Sequence, residues 1–94
     1  KIQEEMAAVE KLKESIAKEM GTYGKNEVKN AVESGAAESL LLISEMTKES
    51  EGLELLEMAL KNRTEVIEIS SHHHGGEMLI GLGGVAVVLR YKLT

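Results

Sequence analysis

The sequence predicts an α/β fold, a three-layer α/β/α sandwich with helices on both faces of a small mixed sheet. Segments with apolar residues at every third or fourth position alternate along the chain with short apolar runs, which is typical of helices alternating with strands. One of these runs, Val85–Leu89, is uncharged and has three β-branched residues, as expected for a strand that is covered on both faces. The chain has 94 residues, enough for one hydrophobic core, so we expect residues 1–94 to form a single domain.

The first predicted helix covers residues 2–20, because the apolar residues of this segment fall on one side of a helix. A short extended connection at Thr22 and Tyr23 follows. The second helix begins at Gly24 and ends before Gly35, a residue type that suits the left-handed conformation after a helix. The apolar residues of the first helix are Ile2, Met6, Val9, Leu12, Ile16 and Met20, and the predicted buried residues of the second are Val28, Ala31 and Val32.

The middle of the chain contains a predicted strand, a loop and a third helix. Four consecutive aliphatic residues predict a buried strand at residues 39–44. Residues 45–52 are mostly polar, so we expect an exposed and mobile loop whose one apolar anchor is Met46. A third helix that ends near Asn62 is predicted from the spacing of Leu53, Leu56 and Leu60, with Leu55 and Ala59 beside them.

The last part of the chain is predicted to contain a strand at Glu65–Ile69, a short helix at residues 78–82 and a closing strand at residues 85–93. Gly83 and Gly84 lie between this helix and the closing strand. Because glycine readily adopts positive φ, we expect the pair to turn the chain directly from helix into strand. We also expect the closing strand to lie in the centre of the sheet.

The composition excludes several classes of function. The chain has no Cys and all 16 acidic residues are Glu, which excludes disulfides, thiolate metal sites and any mechanism that uses Asp. The net charge is −5 and Tyr23 and Tyr91 are the only aromatic residues, so direct binding of nucleic acid is not expected. No apolar run approaches the length of a membrane span, and we expect no membrane association.

The run His72-His73-His74 is the most conspicuous cluster of metal-binding residue types. Adjacent residues in an extended loop point in different directions, which favours a solvated polar loop over a metal site. The glycines near residue 83 follow a helix and precede a strand, the reverse of the order in phosphate-binding loops. We therefore predict no catalytic, cofactor-binding or metal-binding residue.

The sequence Gly83-Gly84-Val85-Ala86-Val87-Val88-Leu89-Arg90-Tyr91 resembles the end of the third, C-terminal domain of Pelota and of the class-1 translation release factors. Matches at Tyr23-Gly24, at Gly35-Ala36 and in the aliphatic run that ends at Ser44 extend this resemblance over most of the chain. Leu82 before the glycine pair, and a segment from residue 44 to residue 76 that is too short for the insert of release factors, favour the Pelota group.

This resemblance implies a non-catalytic domain, without a cofactor, from a longer multidomain protein of the cytoplasm. Proteins of the Pelota group enter stalled ribosomes, in ribosome rescue and mRNA surveillance, with a translational GTPase of the elongation-factor family. A ribosome-recycling ATPase then splits the subunits, and the third domain docks these partners. The resemblance further implies that the full-length protein contacts the ribosome. The alternative within the same family is the C-terminal domain of a class-1 peptide chain release factor.

Two sets of residues are candidates for a binding site. The first helix is expected to offer three partly exposed apolar residues to the GTPase, namely Ile2, Met6 and Val9. The segment Gly24-Lys25-Asn26-Glu27-Val28-Lys29 resembles the Gly-x-Asn-Glu-Val signature of ribosomal proteins that bind kink-turn RNA, a family with a similar fold. This second resemblance implies RNA contacts from Asn26, Glu27 and Lys29, although Asn30 occupies a lysine position of that signature and ordinary helix capping explains the same residues.

Overall fold

The computed structural model describes residues 2–92, with Ile2 described by its backbone alone. Four helices and four strands occur in these residues, and the prediction of an α/β fold is confirmed. In chain order the elements are α1 (Ile2–Ala17), β1 (Gly21–Tyr23), α2 (Lys25–Glu33), β2 (Ala37–Ile43), a 3₁₀ helix (Ser44–Lys48), α3 (Ser50–Lys61), β3 (Glu65–Ile69), α4 (His74–Gly81) and β4 (Val85–Leu89).

The four strands form one mixed sheet in the order β1-β4-β2-β3. Strand β2 pairs in parallel with β3, whereas β4 runs antiparallel to both of its neighbours, β1 and β2. All five residues of β4 are buried. The predictions of a mixed sheet and of a central closing strand are therefore confirmed, although this strand ends at Leu89 and not at residue 93.

Each face of the sheet is covered by two helices. Val85 and Val87 of β4 point into a cluster with α2 and α3, whereas Ala86 and Val88 point into a second cluster with α1 and α4. Successive side chains of a strand alternate between the faces, so a strand with helices on both sides must be apolar throughout. This arrangement is the predicted three-layer sandwich.

The turn between α4 and β4 depends on two glycines with positive φ. Gly83 has a φ of 104° and Gly84 a φ of 85°, in the region that residues with a Cβ rarely adopt. The amide of Gly84 donates to the carbonyl of Leu79, and the amide of Gly83 to that of Ile80, both at 2.9 Å. These bonds satisfy carbonyl groups at the end of α4, and the predicted direct turn from helix into strand is confirmed.

The end of α1 and the starts of β2 and α4 also differ from the prediction. Helix α1 ends at Ala17 and not at residue 20, because the Met20 amide donates to the Ser15 carbonyl and Glu19 adopts a φ of 62°. Strand β2 begins two residues earlier than predicted, at Ala37. Helix α4 begins at His74, four residues before the predicted start.

The prediction of a loop at residues 45–52 was wrong, because most of this segment is helical, although five of its eight residues are exposed as predicted. Met46 is buried in the core, and the Glu49 amide donates to its carbonyl at 3.2 Å. Gly52 lies so close to the backbone of Met46 that a Cβ at position 52 would collide with the Met46 carbonyl oxygen. The buried methionine and the small residue facing it hold the segment against the sheet.

The buried face of α3 includes only part of the apolar residues from which this helix was predicted. Leu55 and Ala59 are buried together with Gly52, whereas Leu53 is exposed and 79% of the surface of Leu60 is accessible. Leu56 is partly buried at the border of the core. In contrast, the predicted buried residues of α2, namely Val28, Ala31 and Val32, are all confirmed.

Candidate partner-binding surface

The outward side of α1 contains one of the predicted partner-binding residues, Met6. Met6 is 42% exposed, and the two residues one turn away from it, Gln3 and Glu10, are also exposed. A flexible methionine side chain can adapt to different contact surfaces, which suits a docking position. The exposure of Met6 is therefore compatible with the prediction, which no contact in the structure tests.

Val9 does not belong to this surface, and its prediction as a partly exposed residue was wrong. It is 3% exposed and packs in the cluster that α1 and α4 form with the sheet. A Cβ at Gly75 of α4 would lie 3.3 Å from the Cγ2 atom of Val9, so the two helices meet here. The side chain of Ile2, the third predicted residue, lies outside the described residues.

The first turn of α1 is connected to the start of α4 through Glu5 and His73. One carboxylate oxygen of Glu5, Oε1, accepts a hydrogen bond from the Ser70 amide at 2.8 Å and lies 2.7 Å from His73 Nε2. His73 Nδ1 accepts from the Gly75 amide at 3.1 Å, which assigns the proton of a neutral ring to Nε2. The His73 side chain is only 12% exposed. Both ring nitrogens therefore already form hydrogen bonds within the fold, and neither is available to bind a ligand.

The prediction of a solvated loop at His72-His73-His74 was consequently right only for His72, because His73 is largely buried and His74 is exposed but helical. His73 caps the N-terminus of α4 with its ring nitrogen, and His74 is the first residue of that helix. The partner of His73 lies 68 positions away in sequence, in α1. Only His72 and His74 are exposed to solvent. Among residues 2–92, no three His or Glu side chains come together in an arrangement that could hold a metal ion.

The electrostatics of two glutamates follow from these contacts. The hydrogen bond from His73, followed by that from the Ser70 amide, lowers the pKa of Glu5 below its ordinary value of 4.5. The hydroxyl of Ser71 donates to Glu45 at 2.8 Å and lowers the pKa of that carboxyl in the same way. Both carboxylates thus remain charged at neutral pH and hold the segment before α4 in place.

The predicted RNA-contacting residues lie on α2, on the opposite face of the sheet from Met6. Asn26, Glu27 and Lys29 are exposed. Lys29 Nζ lies 3.6 Å from a Glu54 carboxylate oxygen. Lys25 is hydrogen-bonded to Glu51 of α3 at 2.7 Å, which raises the pKa of Lys25. The positive charges near the start of α2 are thus paired with carboxylates of α3.

The sequence reasoning missed Glu5 and His73, although the spacing of residues contained a signal. Glu5, Val9, Leu12 and Ile16 follow one another in steps of four, three and four, which places the carboxylate on the inward stripe of α1. A glutamate in such a stripe needs a hydrogen-bonding partner, because burial of an unpaired charge is costly. The partner itself could be identified only from the fold.

No helix within residues 2–92 is long and apolar enough to cross a membrane.

The family model for eRF1 domain 3 matches residues 2–93. The chain belongs to the eRF1 domain 3 family. The predicted membership of the Pelota and release-factor family is thereby confirmed, and the curated relatives of this domain point to the Pelota group. The chain is 44% identical over 97 residues to the pelota homologue of Pyrococcus horikoshii. The aligned region covers 99% of this chain and 27% of that relative.

Two solved structures extend the comparison of this eRF1 domain 3 with Pelota proteins. A model of ribosome-bound archaeal Pelota and ABCE1 matches with a TM-score of 0.86 and 37% identity, over 99% of this chain and 27% of the other. The structure of S. cerevisiae Dom34 matches with a TM-score of 0.87 and 28% identity, over 97% of this chain and 28% of the other. Dom34 is described there as a translation termination-like factor that is involved in RNA quality control pathways and interacts with Hbs1.

Proposed function

We propose that this domain is the protein-docking part of a Pelota-like factor that acts in ribosome rescue and mRNA surveillance in the cytoplasm. In this role it binds a translational GTPase of the elongation-factor family and a ribosome-recycling ATPase. The domain contributes a binding surface and no catalytic step, and ribosome contact is made through a longer protein.

The similarity to archaeal Pelota on the ribosome with ABCE1 is the main support for this proposal, because it extends over 99% of the chain. The described interaction of Dom34 with Hbs1 supports a second partner for a protein with the same domain. The chain spans 27% of the length of the relative from Pyrococcus horikoshii. The activity of such a longer protein is therefore part of the proposal for this chain.

The outward side of α1 around Met6 is the surface that we assign to the GTPase. Gln3, Met6, Glu10 and Lys13 succeed one another at helical spacing and are all exposed. Glu10 and Lys13 form an ion pair at 3.5 Å and give the apolar centre a polar rim, as is common in protein interfaces. Ile2 remains assigned to this surface as a prediction, whereas Val9 belongs to the core.

The substitution Met6→Glu tests this assignment. We expect binding of the elongation-factor-like GTPase to weaken about tenfold or more, because a carboxylate would replace an apolar contact at the centre of the interface. A pull-down with the purified GTPase measures the effect, and circular dichroism verifies that the variant is folded.

Leu53→Glu is the matched control, since Leu53 is also an exposed apolar residue on a helix but lies on the opposite face of the sheet. This variant should bind the GTPase as the unmodified chain does. Full binding by a folded Met6→Glu variant would refute the assigned surface.

RNA binding through Asn26, Glu27 and Lys29 stays a prediction of the alternative hypothesis. The pairing of Lys29 with Glu54 and the net charge of −5 both weaken attraction to phosphates. A gel shift with a kink-turn RNA at low ionic strength decides the matter: we expect no shift, and a salt-dependent shift that Lys29→Glu abolishes would favour the alternative.

A further inference from the structure

Strand β3 forms one edge of the sheet, and no other strand within residues 2–92 pairs with its outer side. In a parallel pair, alternate residues of a strand direct their N–H and C=O groups away from the neighbouring strand. The outer side of β3 therefore presents backbone donors and acceptors that an added strand can use.

We propose that the outer edge of β3 binds an extended polypeptide segment in which basic and apolar residues alternate. The segment would join the sheet as an additional strand. This surface differs from the one around Met6, so the inference is independent of the proposed binding of the GTPase. The two flanks of β3 determine which residues the segment needs.

The flank towards α1 is acidic. An open groove of about 660 Å³ lies here, and its lining includes Glu4 and Glu5 of α1 and Glu65 and Glu68 of β3. Glu5 already holds His73, and Glu68 lines the groove but points to the α3 side of the sheet. Glu4 and Glu65 are therefore the carboxylates that a ligand can contact on this flank. Residues of the added strand that point to this side would therefore be lysine or arginine.

The flank towards α3 is apolar. Val66 pairs with Leu40, whose side chain lies in the cluster under α2 and α3, so Val66 points to that side of the sheet. Val66, Leu53 and Leu60 are exposed. The salt bridges of Glu51 and Glu54 with α2 show which side of α3 faces α2, and the stripe Leu53, Leu56 and Leu60 lies on the other side. This stripe extends towards the free edge of the sheet.

These two flanks require a side-chain pattern with a period of two, which is the period of an extended strand. Apolar residues of the segment would contact Val66 and Leu60, and the residues between them would contact the carboxylates. Glu68 shares the side of Val66, because it pairs with Leu42 of the same cluster, so a basic residue also fits at that end of the apolar flank.

A second copy of the chain is a poor occupant of this edge. Antiparallel pairing of two β3 strands about Ile67 would place Glu68 of each copy opposite Val66 of the other and would bring four carboxylates to one short pair of strands. Charged residues commonly protect edge strands from such association. Such protection accounts for the presence of glutamates on β3. It does not account for the exposure of Val66, Leu53 and Leu60, which a basic and apolar segment would cover.

The test uses a synthetic peptide of about eight residues that alternates lysine and valine, titrated into the isotope-labelled chain and followed by NMR. We expect shifts of the amides of β3 and of the methyl groups of Val66, Leu56 and Leu60, together with slower hydrogen exchange in β3. The amides of β1, at the opposite edge of the sheet, should not change. A peptide with proline in place of its central valine should not bind, because proline lacks the amide donor and disrupts the added strand.

Two variants separate strand addition from general attraction between opposite charges. Glu65→Lys with Glu68→Lys should weaken binding about tenfold or more, because the peptide then meets like charges. Glu14→Lys with Glu33→Lys changes the net charge by the same amount at exposed positions of α1 and α2, and should retain binding. Leu60→Gln tests the apolar flank, and this variant should stay folded because the side chain of Leu60 is exposed.

The inference is overturned if the lysine and valine peptide leaves β3 unchanged. It is equally overturned if both double variants bind alike, if the proline peptide binds as well as its parent, or if Leu60→Gln has no effect on affinity. Protection of β3 that grows with protein concentration in the absence of peptide would identify a second copy as the occupant and would also overturn it.

Discussion

Glu5 is a charged residue on the inward stripe of α1, and its two hydrogen bonds explain how it is accommodated there. The amide of Ser70 and the Nε2 atom of His73 both lie within 2.8 Å of the same carboxylate oxygen. Glu5 thus joins the first turn of α1, the end of β3 and the start of α4. A residue that serves as a structural connection of this kind also fixes the surface on which the neighbouring Met6 lies.

Replacement of this residue, Glu5→Ala, should lower the free energy of unfolding by about 1–2 kcal/mol, because the amide of Ser70 and the ring of His73 lose their acceptor. Urea unfolding followed by circular dichroism measures the change. Because folding lowers the pKa of Glu5, its contribution is present above pH 4.5 and is lost as the pH falls through the lower folded value. The difference between the two proteins should therefore shrink on acidification below pH 4.5.

Glu5→Gln is the matched control, since it keeps an oxygen acceptor but has no charge to titrate. We expect this variant to retain most of the stability at neutral pH and to lack the acid-dependent part of the difference. A Glu5→Ala variant as stable as the unmodified chain at neutral pH would show that the connection between α1 and α4 contributes nothing to folding.

Helix α3 shows which properties of an element the sequence predicts and which it does not. Its existence and its end near Asn62 were predicted, because leucines recur at helical spacing. The sequence does not single out the buried face, because the four leucines spread over an arc of about 160°, nearly half of the helix circumference. The buried face contains the small residues Gly52 and Ala59, and Gly52 lets α3 approach the backbone of Met46 in the 3₁₀ helix. Hydrophobicity alone does not rank these two residues above Leu53 and Leu60.

Helix α4 allows a direct comparison of two glycines in one element. A Cβ at Gly76 would collide with the Ser70 carbonyl oxygen and lie 2.7 Å from the Ser71 Cα atom, whereas a Cβ at Gly81 would meet nothing within 4 Å. Gly76→Ala should lower the free energy of unfolding by about 1–3 kcal/mol through overpacking against backbone. Gly81→Ala should leave stability unchanged or raise it by up to about 1 kcal/mol, because alanine favours a helix more than glycine does.

Thermal unfolding of both variants under identical conditions measures this difference. Equal melting temperatures would mean that the segment from Ser70 to Ser71 moves away from α4 without cost. That result would contradict the close approach of helix and loop in the structure.

For the whole molecule, the layers and the central position of β4 could be predicted, because an uncharged strand of β-branched residues needs cover on both faces. The position of α1 and α4 on one face and of α2 and α3 on the other follows from the connections of the fold. The residues that α1 exposes for binding depend on this arrangement. Val9 is buried in the core and Met6 is exposed, although both lie on the predicted apolar side of α1. Met6 and Val9 are three residues apart and point in directions that differ by only about 60° around the helix axis.

The order of strands predicts a gradient of stability across the sheet. Amides of β4 should exchange most slowly with solvent hydrogen, because this strand is paired on both sides and fully buried. Amides of β1 and β3 at the edges should exchange faster. Native-state hydrogen exchange measured by NMR checks the order, and protection of β3 equal to that of β4 in the chain alone would contradict it.

The location of β4 between β1 and β2 also constrains when the domain can be completed during translation. The polypeptide leaves the ribosome amino end first, so the strand that both neighbours require is the last of the four to emerge. Until Leu89 is free of the exit tunnel, β1 has no strand to pair with and one hydrogen-bonding edge of β2 is unpaired. The nascent domain therefore remains incomplete, and dependent on protection from aggregation, until almost its entire length has been synthesised.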